Sequence, residues 1–163
     1  MIILLLGSNL GDRLSNLNKA YNKISESTRE ILVSSSIYET EPWGFQHKNL
    51  FLNQVLVVNT DLSPESLLHL LLKIEKELGR KRRQKRFQAR IIDIDILFYD
   101  DLIISTNKLK IPHPKLHERR FVLEPLNEIL PDLIHPVLLK SVARLLKESK
   151  DPLLVRKLFE KKL

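Results

Sequence analysis

Residues 80–99 read RKRRQKRFQARIIDIDILFY, and the two halves of that stretch differ in kind. The first is a run of cations, Arg80, Lys81, Arg82, Arg83, Lys85, Arg86 and Arg90, with no acid before Asp93. The second alternates: Asp93 and Asp95 stand two apart, interleaved with Ile92, Ile94 and Ile96. On a strand, side chains two apart point the same way, so the carboxylates share one face and the isoleucines fill the other. Two like charges so close on a partly buried face repel, and a cation between them relieves the repulsion. Mg²⁺ suits that position, because it takes oxygen ligands and accepts substrate phosphates in its remaining sites. The competing reading is a solvated strand with two exposed acids. The adjoining cations argue against it, since a metal–polyphosphate substrate needs carboxylates for the metal and cations for the phosphates.

Outward from that stretch the charge is balanced. The chain of 163 residues carries 27 Lys and Arg against 20 Asp and Glu, and the seven cations above account for the whole formal excess of +7. The positive charge is therefore local and not a property of the whole surface. The length predicts one domain over residues 1–163 with a substantial core. Apolar residues at 43% and charged residues at 29% exclude a disordered or fibrous chain. There is no Cys, which excludes disulfides and thiolate chemistry and fits a reducing compartment. No apolar run approaches the ~20 residues of a membrane span. Residues 1–6, MIILLL, lack the basic start and small-residue cleavage site of a signal peptide and read as a buried strand. The expected setting is the cytoplasm, with no membrane partner and a monomeric chain.

The remaining elements follow from spacing and punctuation. Residues 2–6 form an apolar strand ending at Gly7, and Leu10, Leu14, Leu17, Tyr21 and Ile24 recur at helical spacing over residues 9–27. Residues 31–38 and 51–60 read as strands, separated by a loop that holds Pro42, Gly44 and the only Trp, Trp43. Ser63 as N-cap and Pro64 at the first helical position open a helix that Gly79 closes. After the basic block come a strand over 90–99, a turn at Asp100-Asp101 and a short strand over 102–105. Helical patterns cover 120–129 and 137–147. Pro152 opens a last amphipathic helix with Leu153, Leu154, Leu158 and Phe159, expected to pack on the body. The order predicts the α+β class: a ferredoxin-like βαββαβ sandwich, an antiparallel sheet with helices on one face plus C-terminal helices. The other sheet face is left for a site.

Further candidates lie along the chain. The G-S-N-L-G turn of residues 7–11 resembles a phosphate-binding turn at a helix start, but the motif alone favours an ordinary strand-to-helix turn with an Asn or Ser cap, and no Walker A pattern is present. Pro112 and Pro114 stiffen a loop that presents His113. His47, His69, His117 and His135 have no zinc-ligand spacing. Phe51 and Asn53 share a strand face and pair an aromatic plate with an amide that both donates and accepts, which suits a flat heterocycle; core packing and a turn role are the bland alternative. Inside the basic block only Phe87 could stack on a base, so nucleic acid is not the expected partner.

Several motifs occur in one order: G-S-N-L-G, S-x-Y-x-T-x-P (Ser36, Tyr38, Thr40, Pro42), F-L-N at residues 51–53, E-x-x-x-G-R-x-R from Glu75 to Arg82, D-I-D-I-L, and I-P-H-P followed by R-x-F-V-L-x-P-L. Over about residues 1–136 the chain resembles the 6-hydroxymethyl-7,8-dihydropterin pyrophosphokinases of folate biosynthesis. The resemblance implies transfer of the β,γ-diphosphate of ATP to the pterin hydroxymethyl group, with release of AMP. It implies that Asp93 and Asp95 bind two Mg²⁺ ions. Arg80, Arg82, Arg86 and Arg90 match basic positions of the family, with Arg82 and Arg86 in its mobile loop and Arg82, Arg86 and Arg90 assisting the transfer. Glu75, Ile96, Lys108, His113 and Arg119 would complete the ATP contacts, with Glu75 near the adenine. Thr40, Pro42 and Trp43 would line the pterin loop, Asn53 would read the pterin's polar edge, and Phe51 and Phe121 would sandwich its ring. The hydroxyl itself attacks the β-phosphorus, with Asp95 as a candidate base.

The chain departs from the family pattern at Gln88-Ala89, where Gly-Pro is usual, and at Phe87, where many members have Trp; Glu41 and Trp43 also make the pterin loop individual. An RNA-binding ferredoxin-like module using residues 80–90 is the alternative from another class, and a nucleotide-binding relative without turnover is a third. An RNA module needs neither the Asp93–Asp95 pair nor His113, and a relative without turnover should lack one of the Asp or Arg positions, all of which are present.

Overall fold

The computed structural model of the protein describes residues 1–81 and 89–159. Four strands form the frame: β1 (Ile2–Ser8), β3 (Ile37–Thr40), β4 (Phe51–Asn59) and β5 (Asp93–Tyr99). They lie in the antiparallel order β5-β1-β4-β3, and β2 (Glu30–Ser34) shares the β4 edge with β3. Helices α1 (Arg13–Ser27) and α2 (Pro64–Glu77) supply the crossovers. The sequence expectation of a βαββαβ sandwich describes this arrangement.

Local chemistry explains the element ends. Helix α2 starts where Ser63 accepts a hydrogen bond from the Ser66 amide with Pro64 in the first turn, and it stops before Gly79, whose φ of +95° suits glycine. Helix α1 begins later than its apolar spacing suggests. Asp12 is its N-cap and accepts from the Ser15 amide, because Gly11, at φ +67°, still belongs to the turn. The single strand expected over 31–38 is broken at Ser35-Ser36. The buried Ser35 hydroxyl accepts from the Val55 amide, and Ser36 donates both its amide and its hydroxyl to Glu128, so side chains replace part of the ladder.

Both faces of the sheet are packed. Leu4, Leu6, Leu56 and Val58 meet Leu17, Ile24, Leu67 and Leu71 of α1 and α2 on one side. Ile3, Leu5, Val55 and Val57 meet α3 (Arg120–Ile129) and α4 (Val142–Glu148) on the other. The second face is thus not left open for a site as expected from the sequence; α3 and α4 cover part of it, and the site occupies the remaining end. Between β5 and α3 the chain forms a small hairpin of β6 (Ile104–Ser105) and β7 (Lys110–Ile111).

The C-terminus corrects another expectation. Residues 155–159 form strand β8 (Val155–Phe159), not a helix, and pair antiparallel with β3. The segment is short for an autonomous helix, whereas the free edge of β3 offers a hydrogen-bond ladder. Two ion pairs reinforce that choice, Arg156–Glu39 and Lys157–Glu128. No helix among the described residues is long and apolar enough to cross a membrane.

Candidate active site

The open end of the second face is floored by strand residues in register. Asp93 lies opposite Gly7, and Gly7 lies opposite Asn53. A Cβ on Gly7 would stand 3.2 Å from Asn53 Oδ1, tighter than an ordinary contact, so glycine keeps the floor low between the two polar side chains. Asn53 and Thr40 are both buried, and Asn53 Nδ2 donates to Thr40 Oγ1 at 2.8 Å. Above this floor is a cavity of about 210 Å³. Thr40, Asn53, Trp43, Phe45, Phe51 and Phe121 line one end; Arg90, Asp93, Asp95, His113, Lys115 and Arg119 line the other.

The charged end is a chain of paired groups. Arg80, just after α2, reaches both Glu75 (2.6 Å) and Asp93 (2.5 Å), and Arg90 pairs with Asp93 from the other side. Glu75 is 2% exposed and also accepts from the Ile94 amide at 2.8 Å, which fixes the start of β5 against α2. Asp95 keeps 36% of its side-chain surface, which faces the cavity. Burial, and then the adjacent Asp93 charge, push its carboxyl up to about 7. Such a group favours a cation beside it.

His113 stands with Nε2 4.0 Å from Asp95 Oδ2. Its Nδ1 accepts from the Lys115 amide, so the ring's proton is on Nε2 and faces the cavity. Burial, with Arg119 nearby, lowers its pKa to about 4 and keeps it neutral. The Arg119 guanidinium lies 4.5 Å from the Trp43 ring centroid and 5.7 Å from that of Phe121. Its Nε is buried with no hydrogen-bond partner among the described residues. Phe45 meets Phe51 edge-on at 6.1 Å.

Ten of the sequence-predicted residues therefore line one cavity: Thr40, Trp43, Phe51, Asn53, Arg90, Asp93, Asp95, His113, Arg119 and Phe121. Pro42 is in the same loop. Arg80 and Glu75 stand behind Asp93. Ile96 turns its side chain into the core beside α1 and α2, away from the carboxylates, and Lys108 is exposed between β6 and β7. Arg82 and Arg86 lie outside the described residues, as do Phe87 and Gln88. Among the described residues no group of three or more His, Cys, Asp or Glu gathers as a metal cluster; the acidic pair is Asp93 and Asp95. The amides of Asn9 and Leu10 in the G-S-N-L-G turn both donate to the Arg90 carbonyl, so those two amides are bonded within the protein and not offered to a phosphate. Phe45, Leu5 and Lys115 line the cavity without having been predicted, and Gly7 lines it as part of the strand floor, not as a phosphate-binding turn. Gly7 was readable as the residue two before Asn9 on a strand facing Asp93, but only once the pairing register was known.

A sheet edge that presents two carboxylates under guanidiniums, beside an aromatic slot with a fixed amide, defines a group-transfer enzyme for a charged and a flat substrate. Comparison with known proteins narrows this. The model of the family described as 7,8-dihydro-6-hydroxymethylpterin-pyrophosphokinase (HPPK) matches residues 3–131, and the chain belongs to that family. It is 49% identical over 137 residues to a 2-amino-4-hydroxy-6-hydroxymethyldihydropteridine pyrophosphokinase of Aquifex aeolicus, covering 84% of each chain. It is 40% identical over 129 residues to a folate synthesis bifunctional protein of Arabidopsis thaliana, covering 79% of this chain and 27% of that one. A solved wild-type HPPK-DHPS structure of Plasmodium falciparum superposes with a TM-score of 0.70 at 18% identity, over 90% of this chain and 44% of that chain. That last likeness is one of fold. The chain spans less than half of each of these two longer relatives. The RNA-binding alternative finds no support in these matches.

Proposed function

We propose that this protein transfers the β,γ-diphosphate of ATP to the hydroxymethyl group of 6-hydroxymethyl-7,8-dihydropterin, giving the pterin diphosphate and AMP in folate biosynthesis. The observation that carries this reading is the joining of two unlike ends in one cavity: Asp93, Asp95, Arg90, His113 and Arg119 at one, Thr40, Asn53 and the aromatic rings at the other. The first end suits a metal–triphosphate and the second a flat, polar-edged heterocycle.

Asn53 and Thr40 would read the pterin edge, and Phe51, Phe121 and Trp43 would hold its ring. Asp93 and Asp95 would hold Mg²⁺, two ions in our reading, and the donor set fits: paired oxygen ligands, one of them destabilised as an anion by burial. When bound, Mg²⁺ offsets polyphosphate charge. Arg80 and Arg90 hold Asp93 in place from two sides. The Nε2 proton of His113 and the guanidinium of Arg119 would donate to phosphate oxygens. Arg82 and Arg86, and the ATP contacts of Glu75, Ile96 and Lys108, belong to the same proposal. The pterin oxygen bonds to the β-phosphorus while the bond from that phosphorus to the α,β-bridging oxygen breaks, and AMP leaves. His113 is not the base, because its acceptor nitrogen already takes the Lys115 amide; Asp95 takes the hydroxyl proton. We further read the protein as a single-domain monomer of the cytoplasm, to be checked by light scattering and cell fractionation.

The test is product analysis with Mg²⁺, ATP and the pterin. AMP formed one-for-one with a pterin diphosphate is expected. ADP with a pterin monophosphate would overturn the reaction, and bound ATP without turnover would leave a binding protein.

A further inference from the structure

The matched family region ends at residue 131, yet strand β8 lies beyond it and touches the hinge of the pocket loop. Residues 41–50 connect β3 to β4 and carry the cavity residues Glu41, Trp43 and Phe45; the hinge residues Thr40 and Phe51 line the cavity as well. One guanidinium spans the two ends of this loop. Arg13 Nη1, from the first turn of α1, donates to Glu39 on β3 and to the Leu50 carbonyl before β4, both at 2.9 Å. The second oxygen of Glu39 accepts from Arg156 Nη2 of β8 at 2.7 Å. Register places Arg156 opposite Glu39 and Val155 opposite Thr40, so β8 stops at the hinge itself. Glu39 is largely buried. Burial opposes its ionisation, but hydrogen bonds from Arg13 and Arg156 prevail and hold its carboxyl below the usual range.

We propose that the C-terminal strand is a positioning element for the substrate pocket: Arg156, through Glu39 and Arg13, clamps the two ends of loop 41–50 and so sets where Trp43 and Phe45 stand. Among the described residues Arg156 is not part of the cavity lining, and its ion-pair partner is Glu39. Its neighbour Lys157 pairs with Glu128, which also accepts from the Tyr38 hydroxyl at 2.9 Å, so β3 keeps a second fastening when Arg156 is removed. The loss of Arg156 should therefore loosen the loop without unfolding the sheet. The link to the pterin rests on the proposed function; the clamp itself does not.

Trp43 is the only Trp and sits in the clamped loop, so its fluorescence reports the loop directly. In the full chain, Arg156→Ala should lower Trp43 anisotropy and raise the KM for the pterin about 3–10-fold, with the KM for ATP and kcat within about twofold of the parent. Arg156→Lys should restore most of both. Unchanged Trp43 anisotropy in Arg156→Ala would overturn the clamp. So would an equal rise in both KM values together with a lowered Tm, which would make β8 a general stabiliser. If the parent protein does not turn over, the functional reading fails while the anisotropy comparison still decides the clamp.

Discussion

The two ends of the cavity are built on opposite plans. At the charged end ion pairs set the geometry: Glu75 holds Arg80, and Arg80 and Arg90 hold Asp93, while neutral His113 faces Asp95. At the flat end one neutral hydrogen bond, Asn53 to Thr40, fixes the amide, and shape does the rest through Gly7, Phe51 and Trp43. Phosphoryl transfer needs charge placed where charge develops, and there the reward falls on the transition state. A heterocycle needs recognition before and during reaction alike, which is uniform binding. The charged end should therefore govern kcat and the flat end the pterin KM.

The largest expected effect tests that division. Asp95→Asn keeps the shape and removes a charge, and kcat should fall about 10³-fold with little change in pterin binding. Activity retained within tenfold would remove Asp95 from both metal and proton roles. Asn53→Ala is the counterpart at the other end. It leaves the substrate's polar edge unpaired and should lower kcat/KM for the pterin about 10²-fold, mostly through KM. A loss confined to kcat would erase the contrast between the ends. Gly7→Ala is subtler, because its methyl would press on Asn53 Oδ1 at 3.2 Å. The pterin KM should rise about tenfold with ATP binding intact, as isothermal titration with each ligand would show.

Much of the charged end was legible in the sequence, because alternation alone puts Asp93 and Asp95 on one face and Ile92, Ile94 and Ile96 in the core. Helix α2 was legible for a similar reason: Ser63, Pro64 and Gly79 act locally. What escaped depends on distant partners. The break at Ser35-Ser36 exists because Val55 and Glu128 meet those hydroxyls and amides. Strand β8 has a spacing that serves either a helix or a strand, and the free edge of β3 decided it. The Asn9 and Leu10 amides of the G-S-N-L-G turn are bonded to Arg90, eighty residues on, which no local pattern shows.

The smallest effect sharpens the contrast through pH. His113 has a folded pKa lowered to about 4 against an ordinary value near 6.5. The unfolded chain takes its proton first, so this group removes stability as pH falls from about 6.5 toward 4. Asp95 is raised to about 7, so the folded state holds its proton more tightly and this group adds stability over the same fall. The two oppose each other in the parent. In metal-free buffer, Asp95→Asn should therefore steepen the drop of Tm below pH 6.5, and His113→Asn should flatten or reverse it. Parallel Tm curves for the two variants would show that neither shift operates.

The central claim is that both terminal phosphates leave ATP together. ³¹P NMR of ATP, Mg²⁺ and 6-hydroxymethyl-7,8-dihydropterin with the protein follows all three phosphorus atoms at once. The account predicts that the β and γ signals appear joined on the pterin while the α signal becomes that of AMP. A β signal remaining with the nucleotide, as ADP, would contradict it.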